Sequence, residues 1–441
     1  MEGLPDKSLK GVRTAHFKNT EEKATQIMPI PDLVYIAMSQ HMGPPCDVLV
    51  APQDEVKVGQ VIGDSSAFLS APIHSSVSGH VLRIDEIIMP NGSRSRAVVI
   101  ETDKKQEVIE GLSPPVIANR ADFVAAVKAS GIVGLGGAGF PTHIKLNPKD
   151  PASVDTLIIN GAECEPYITS DYRTMIENTD DVIEGILAVM RWMELKNCVI
   201  GIEDNKPEGI RVLQEACKPH AKISVKVRKS QYPQGAEKVL IYETTGRTVP
   251  EGKLPSDVGV VVLNITTTAR IAQYLNSGMP LTNKRITVDG GAVREPKNIL
   301  APVGTPISEV IAFCGGYQKP PRKILMGGPM MGTAVYDESY PVLKNNNAIL
   351  VFDASQVEEY DESPCIRCGR CVRACPMNLM PLRIDDAYQR DDMEALAQLK
   401  VSLCMECGSC AYACPAKRHL VQVHRLAKIR LRAAAAAAAK A

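Results

Sequence analysis

The chain has 441 residues, too many for one ordinary hydrophobic core and enough for three or four domains. At 45% hydrophobic and 23% charged residues it reads as globular rather than disordered, and 50 basic residues against 50 acidic ones exclude the all-over positive surface of a general nucleic-acid binder. The longest strand-like apolar run, residues 258–263, falls far short of a membrane span. The opening Met1-Glu2-Gly3-Leu4-Pro5 lacks the basic-then-apolar order of a secretory signal.

Residues 33–100 read as short strands cut by turns. Between 56 and 84, glycines at 59, 63 and 79 alternate with valines, a pattern similar to the half-barrel of biotinyl and lipoyl carriers. Those carriers present a modified lysine on a hairpin tip, and no lysine occurs here between Lys57 and Lys104. The expectation is a scaffold barrel over 1–118 rather than a swinging arm. From about 119 to 282, apolar β-rich runs (154–160, 197–202, 222–227, 258–265) alternate with helix-like stretches (172–195, 206–217, 234–244, 267–276). That alternation predicts an α/β layer with a largely parallel sheet. Residues 283–355 turn β-rich again, punctuated by Pro320-Pro321 and Gly327-Gly328-Pro329, and read as a β-grasp-like (SLBB-like) domain. Residues 356–418 form a cysteine-rich helical module. A basic tail at 419–441 follows, with Leu420, Val423, Ala427 and Leu431 spaced for one helical face and an alanine run from 433 to 439. The fold class is therefore multidomain, α/β and α+β.

Eight of the 13 cysteines fall between Cys365 and Cys414, and their spacing is specific. Cys365, Cys368, Cys371 and Cys375 precede Pro376, and Cys404, Cys407, Cys410 and Cys414 precede Pro415. Both sets obey C-x2-C-x2-C-x3-C-P, the run of paired [4Fe-4S] clusters, in which the fourth cysteine of each run ligates the other cube. Cluster I would take Cys365, Cys368, Cys371 and Cys414; cluster II would take Cys404, Cys407, Cys410 and Cys375. Two structural zinc sites are the competing reading, but zinc ribbons pair short C-x2-C elements without the trailing proline. Close thiolate-bound cubes have one common use, the movement of single electrons. Of the other five, Cys46, Cys198, Cys217 and Cys314 have no ligand-like spacing and read as buried thiols.

Gly134-Leu135-Gly136-Gly137-Ala138-Gly139-Phe140-Pro141-Thr142 has the composition of a phosphate-cradling loop. It follows a helix, whereas the dinucleotide fingerprint follows a strand, so a Rossmann reading fails and a plain glycine turn competes with a ligand loop. Extended to Lys145, the segment resembles the flavin loop of the flavoprotein subunit of respiratory complex I. The resemblance continues at Asn160-Gly161-Ala162-Glu163-Cys164-Glu165-Pro166, at residues 232–237 and at Asn264-Ile265-Thr266-Thr267-Thr268, covering roughly 120–280. It implies that Gly134, Gly136, Gly137, Ala138, Gly139, Phe140, Thr142 and Lys145 hold the phosphate and ribityl chain of FMN. Asn160, Asn264 and Thr266 would hydrogen-bond the flavin, while Glu163, Glu165, Tyr232, Gly235 and Glu237 would line an NADH pocket. Leu135, Leu263 and Thr267 depart from that family's usual arginine, asparagine and acid, and Leu146-Asn147-Pro148 offers no second aromatic beside Phe140.

The domain order is similar to that of the RnfC proteins, one of the subunit families of Rnf complexes. That resemblance implies an enzyme subunit: the NAD(H)-facing module of a ferredoxin:NAD+ oxidoreductase, using FMN and two [4Fe-4S] clusters. Its partners would be integral membrane and ferredoxin-like subunits, with ferredoxin reached indirectly, and they would couple electron transfer to Na+ or H+ movement. The location implied is the cytoplasmic face of the bacterial inner membrane, peripherally. Two alternatives stand beside it: a soluble NADH-dependent cobalamin reductase of microcompartment type, and a flavin-less electron-transfer or docking module. Among single residues, Cys164 reads as a pocket-wall thiol, His74 and His80 as barrel-turn residues without metal, Trp192 as core, and the basic tail as a docking element.

Overall fold

The computed structural model describes residues 10–438; the opening Met1–Pro5 and the final residues 439–441 lie outside the described residues. The N-terminal domain is a barrel-sandwich of two antiparallel sheets. One orders Leu33–Ala37, Arg94–Thr102, Gly79–Ile88 and Glu55–Val56; the other orders Asp47–Val48, Val61–Asp64 and Ile73–His74. Alternating apolar residues close its core, with Val34, Ile36, Ile62, Ile73, Val98 and Ile100 fully buried. His74 and His80 sit in strands rather than on turns; His74 is buried, and His80 pairs with Glu101 at 3.1 Å.

The first described strand of the chain, Gln26–Ile27, does not join the barrel. It runs parallel to Lys297–Pro302 at the edge of a six-stranded sheet. That sheet continues through Asn283–Asp289, Ala348–Phe352, Lys323–Met326 and Thr333–Val335, and packs on the helix Ile307–Phe313 through Ile286, Ile299, Val310 and Ile349. The amino-terminal segment thereby reaches the β-grasp domain across the whole flavin domain.

The central α/β domain carries four strands in the order Ile223–Arg228, Asn197–Glu203, Thr156–Gly161, Val260–Asn264, every neighbouring pair parallel. Both faces are covered, as a parallel sheet requires. Leu157 and Ile159 point into a core with the helices Ser170–Glu177, Thr179–Trp192 and Ile265–Ser277. Ile158 packs on the opposite face against Leu240 and Ile241 of Glu237–Thr245. The single helix read over 172–195 is two, separated at Asn178. Trp192 packs at the edge of the larger core with Arg191 4.7 Å over its ring.

The cysteine module is built from short helices closed by a long one, Leu420–Ala438. That helix packs Ala427 and Leu431 against Ile384, Ala387 and Leu396, while Leu420 and Val421 meet Cys371 and Cys410. Three of its basic residues are engaged within the module: Arg425 and Lys428 pair with Glu406, and Arg430 with Asp391. The tail is thus a wall of the cysteine module.

Candidate functional site

The glycine loop follows the helix Arg120–Ala129 and is closed by two backbone hydrogen bonds, Gly134 N–H to the Phe140 carbonyl (2.8 Å) and Gly139 N–H to the Gly134 carbonyl (3.1 Å). Gly137 (φ +121°) and Gly139 (φ +64°) occupy backbone conformations that side chains strain. At Gly136 a Cβ would lie 2.8 Å from Asn264 Nδ2. Three carbonyls of the loop are turned away to donors elsewhere: Leu135 O accepts from Lys284 Nζ (2.8 Å), Gly137 O from Asn345 Nδ2 (2.8 Å), and Gly139 O from the Met42 amide (2.8 Å). The amides of the exposed residues Gly136, Gly137 and Ala138 have no acceptor among the described residues. With carbonyls turned back and amides left forward, the loop is an anion-binding nest. Lys145 stands beside it, its Nζ on Glu237 Oε2 (2.5 Å) and the Val262 carbonyl (3.1 Å), 6.0 Å from the Phe140 ring centroid.

The loop opens onto the carboxyl ends of the central strands. Thr156–Gly161 is followed on one side by Asn197–Glu203 and on the other by Val260–Asn264, so the strand order reverses there, and Asn160 and Asn264 lie directly side by side in register. Ligands of open α/β sheets bind at this reversal point. Asn160 is held by the Gly235 carbonyl (Nδ2 donating, 2.8 Å) and the Ala162 amide (3.2 Å). Asn264 caps the helix Ile265–Ser277 by accepting from Thr267 N–H (3.1 Å), and it donates from Nδ2 to Asp171 (2.7 Å). Asp171 also accepts from the Thr266 hydroxyl at 2.6 Å and so ties the helix start at 170 to the helix start at 265. Ser170 Oγ, Thr142 Oγ1 and Gln234 Nε2, on segments bounding this crevice, are buried without a protein partner among the described residues. Free amides, a cation and orphaned polar atoms fit a phosphate-bearing polar cofactor.

The acidic pair is turned inward. Glu163, at φ +50°, accepts from the Asp171 amide (2.6 Å) and the Tyr172 amide (3.3 Å); Glu165 accepts from the Met330 (2.9 Å) and Met331 (2.8 Å) amides of the β-grasp domain. Burial pushes both carboxyls up to about 7. Behind them Lys18, from the amino-terminal segment, donates to the carbonyls of Glu163 (2.9 Å), Glu165 (2.9 Å) and Ile168 (2.5 Å). Cys164 accepts from the Gly235 amide at 3.4 Å, and burial pushes its thiol up to about 12, a protonated wall residue rather than a reactive thiolate. Tyr232 departs from the pocket-lining role expected of it. It is 1% exposed, its backbone bridges to Val12, and its hydroxyl donates to the Cys407 carbonyl at 2.6 Å.

That contact leads into the cysteine module. Cys365, Cys368, Cys371 and Cys414 line one cavity, and Cys375, Cys404, Cys407 and Cys410 line a second. The fourth cysteine of each run therefore crosses to the cavity of the other. Sulfur atoms receive backbone amides: Arg367 N–H to Cys365, Leu379 N–H to Cys375 and Glu406 N–H to Cys404, each at 3.4 Å. Such bonds favour the charged thiolate. All eight cysteines are free thiols, and the two cavities suit thiolate-bound cubes rather than disulfides. The second cavity abuts the flavin domain through Tyr232, and Gly408 lies against the Met330 carbonyl, where a Cβ would come within 2.9 Å. The first faces outward, with Cys365 and Cys368 exposed.

Four family models match in the same order as the domains: a RnfC barrel sandwich hybrid domain at 7–105, a Nuo51 FMN-binding domain at 127–273, an SLBB domain at 285–334 and a 4Fe-4S dicluster domain at 358–415. The chain is 45% identical to the C subunit of the proton-translocating ferredoxin:NAD(+) oxidoreductase complex of Clostridium ljungdahlii, over 95% of this chain and 92% of that one. The chain belongs to the RnfC family of Rnf complex subunits. It is also 41% identical to the C subunit of the Na(+)-translocating complex of Acetobacterium woodii, over 90% of each chain. An NAD+-reducing [NiFe]-hydrogenase structure shares the fold at a TM-score of 0.51 and 18% identity, over 71% of this chain and 63% of that one. As a member of this family the chain is a subunit of an electron-transferring oxidoreductase complex, with FMN and [4Fe-4S] clusters as its cofactors.

Several residues of the site carry no sequence signal. Asp171 sits in an ordinary helix start, Lys18 in an irregular leader, and Lys284 and Asn345 in another domain. Each reaches the site only through contacts that span from eight to 208 residues of chain, as between Glu163 and Asp171 or between Gly137 and Asn345.

Proposed function

We propose that the chain is the NAD(H)-facing subunit of a membrane-associated ferredoxin:NAD+ oxidoreductase, with FMN on the glycine loop, cluster II as the inner electron carrier and cluster I as the outer one. FMN, when bound, exchanges two electrons with nicotinamide and single electrons with iron–sulfur clusters. The observation that carries the electron order is the Tyr232–Cys407 hydrogen bond, which joins the flavin domain to the backbone of a cysteine of the cluster II cavity. The chain's own residues supply position and charge: amides 136–138 and Lys145 meet the phosphate, Asn160 and Asn264 stand at the strand ends, and the Glu165 carboxylate clamps the loop at 330–331 between the two domains. No helix of the described residues is long and apolar enough to cross a membrane. We assign the Na+ or H+ path to integral membrane partner subunits, and this chain to a peripheral position on their cytoplasmic side.

The outer cavity also bears on the partner. Arg367, which lines it, and Arg370 and Arg373, which follow in sequence, are exposed and make no ion pair among the described residues, while the neighbouring Glu358, Glu359 and Glu362 are paired to Lys417, Arg322 and Arg418. Exposed arginines without ion pairs beside exposed cluster ligands fit an acidic ferredoxin-like subunit. Replacing all three arginines by glutamate is expected to slow electron exchange with an acidic ferredoxin about tenfold at low salt and to flatten its salt dependence. NADH-driven reduction of ferricyanide at the flavin should stay as it was. An unchanged ferredoxin rate and salt slope would remove cluster I from the outer position.

A further inference from the structure

The β-grasp domain holds the back of the glycine loop with two side chains, and one of them is a cation with little to balance it. Lys284, on the strand Asn283–Asp289, is 2% exposed, and its Nζ donates to the Leu135 carbonyl at 2.8 Å. That carbonyl is its one acceptor among the described residues, although an ammonium carries three N–H groups. A buried ammonium with unused donors is costly unless something negative faces it.

The protein itself supplies little. Asp171, on the helix Ser170–Glu177, and Glu163, in the loop before it, face Lys284; Arg270, from the helix Ile265–Ser277, and Arg285, on its own strand, oppose them. Asp171 is already committed to Asn264 and Thr266, and Glu163 to the amides of Asp171 and Tyr172. Burial outweighs both acids and pushes the Lys284 ammonium down to about 7. The other brace differs: Asn345, on the Gly137 carbonyl, is neutral, and the buried Lys344 beside it lies outside the loop, with two acceptors in the carbonyls of Gly131 (2.8 Å) and Pro72 (2.6 Å).

We propose that Lys284 is the buried cation of the flavin site, a positioning residue supplied by the β-grasp domain. It fixes the glycine loop through the Leu135 carbonyl, and its charge favours the more negative, reduced cofactor over the oxidised one. This rests on the reading of the glycine loop as the flavin seat.

The test uses the full chain loaded with FMN and both clusters, and compares Lys284→Met with Asn345→Ala, which removes a neutral donor to the same loop. Both variants should retain FMN less well. Lys284→Met alone should lower the flavin midpoint potential, by the equivalent of a tenfold loss of preference for reduced FMN, about 30 mV for a two-electron couple. If Lys284→Met holds no FMN, Lys284→Arg decides. Arginine stays charged, so its flavin potential should lack the extra fall above about pH 7 that loss of the Lys284 proton gives the wild type. A Lys284→Met potential equal to that of the wild type, or superimposable pH profiles for Lys284→Arg and wild type, would leave Lys284 a brace without electrostatic effect. Wild-type chain that binds no FMN at all would instead overturn the glycine-loop reading, and is told apart from both.

Discussion

Replacing Lys145 by alanine is expected to weaken FMN retention by about tenfold to a hundredfold while cluster iron stays constant, as read by flavin and iron content after desalting. The magnitude follows from a charge-assisted hydrogen bond to phosphate, worth roughly 1.5–3 kcal/mol. Lys145 is the cation that the loop's own helical turn, Thr142–Lys145, places at the mouth of the amide nest, and it lies against Glu237 at 2.5 Å. Removing it deletes an attraction for the phosphate and also leaves the Glu237 carboxylate without its partner. Exchanging Glu237 for glutamine in the same chain should therefore recover part of the loss. Full flavin occupancy in Lys145→Ala would mean that the phosphate sits elsewhere.

Loss of Cys414 should cost cluster I, although Cys414 belongs to the second cysteine run. It lines the same cavity as Cys365, Cys368 and Cys371, so Cys414→Ala and Cys371→Ala should lose the same EPR signal and about half of the iron. Cys375→Ala and Cys410→Ala should lose the other signal, since those residues share the second cavity. The flavin should report the difference too. With cluster II gone, NADH should still bleach FMN but leave cluster I oxidised, because the inner carrier is the one joined to the flavin domain through Tyr232. Pairing of Cys414→Ala with Cys410→Ala would contradict crosswise ligation.

What the sequence makes legible is what lies within one or two turns of chain. The cysteine runs are local loops whose spacing alone restricts the chemistry, and the glycine loop is closed by bonds between Gly134, Gly139 and Phe140. The alternation of strands and helices announced a parallel sheet, and the four strands are all parallel. The stripe Leu420, Val423, Ala427, Leu431 pointed to a helix with one buried face, and Leu420, Ala427 and Leu431 are spent on the cysteine module while Val423 is only half-buried. The charge of the same tail gave no sign that Glu406 and Asp391 would pair with Arg425, Lys428 and Arg430. The rest depends on tertiary placement. Asn178 splits one apolar stretch into two helices, a break without glycine or proline to mark it. Gln26–Ile27 is too short to show any period and becomes a strand only because Ile299 and Leu300 lie beside it. Glu163 and Glu165 looked like pocket acids, and backbone amides at 171, 172, 330 and 331 take their carboxylates. Lys18 and Lys284 are buried cations that no local pattern distinguishes from surface lysines.

Whether this chain passes electrons between nicotinamide and its clusters through FMN is decided by an anaerobic NADH titration of the purified chain, following flavin absorbance and cluster EPR together. Flavin bleaching at substoichiometric NADH, followed by the signal of reduced cluster, is the expected result. Bound flavin that NADH leaves oxidised, or clusters that NADH reduces in chain stripped of FMN, would contradict it.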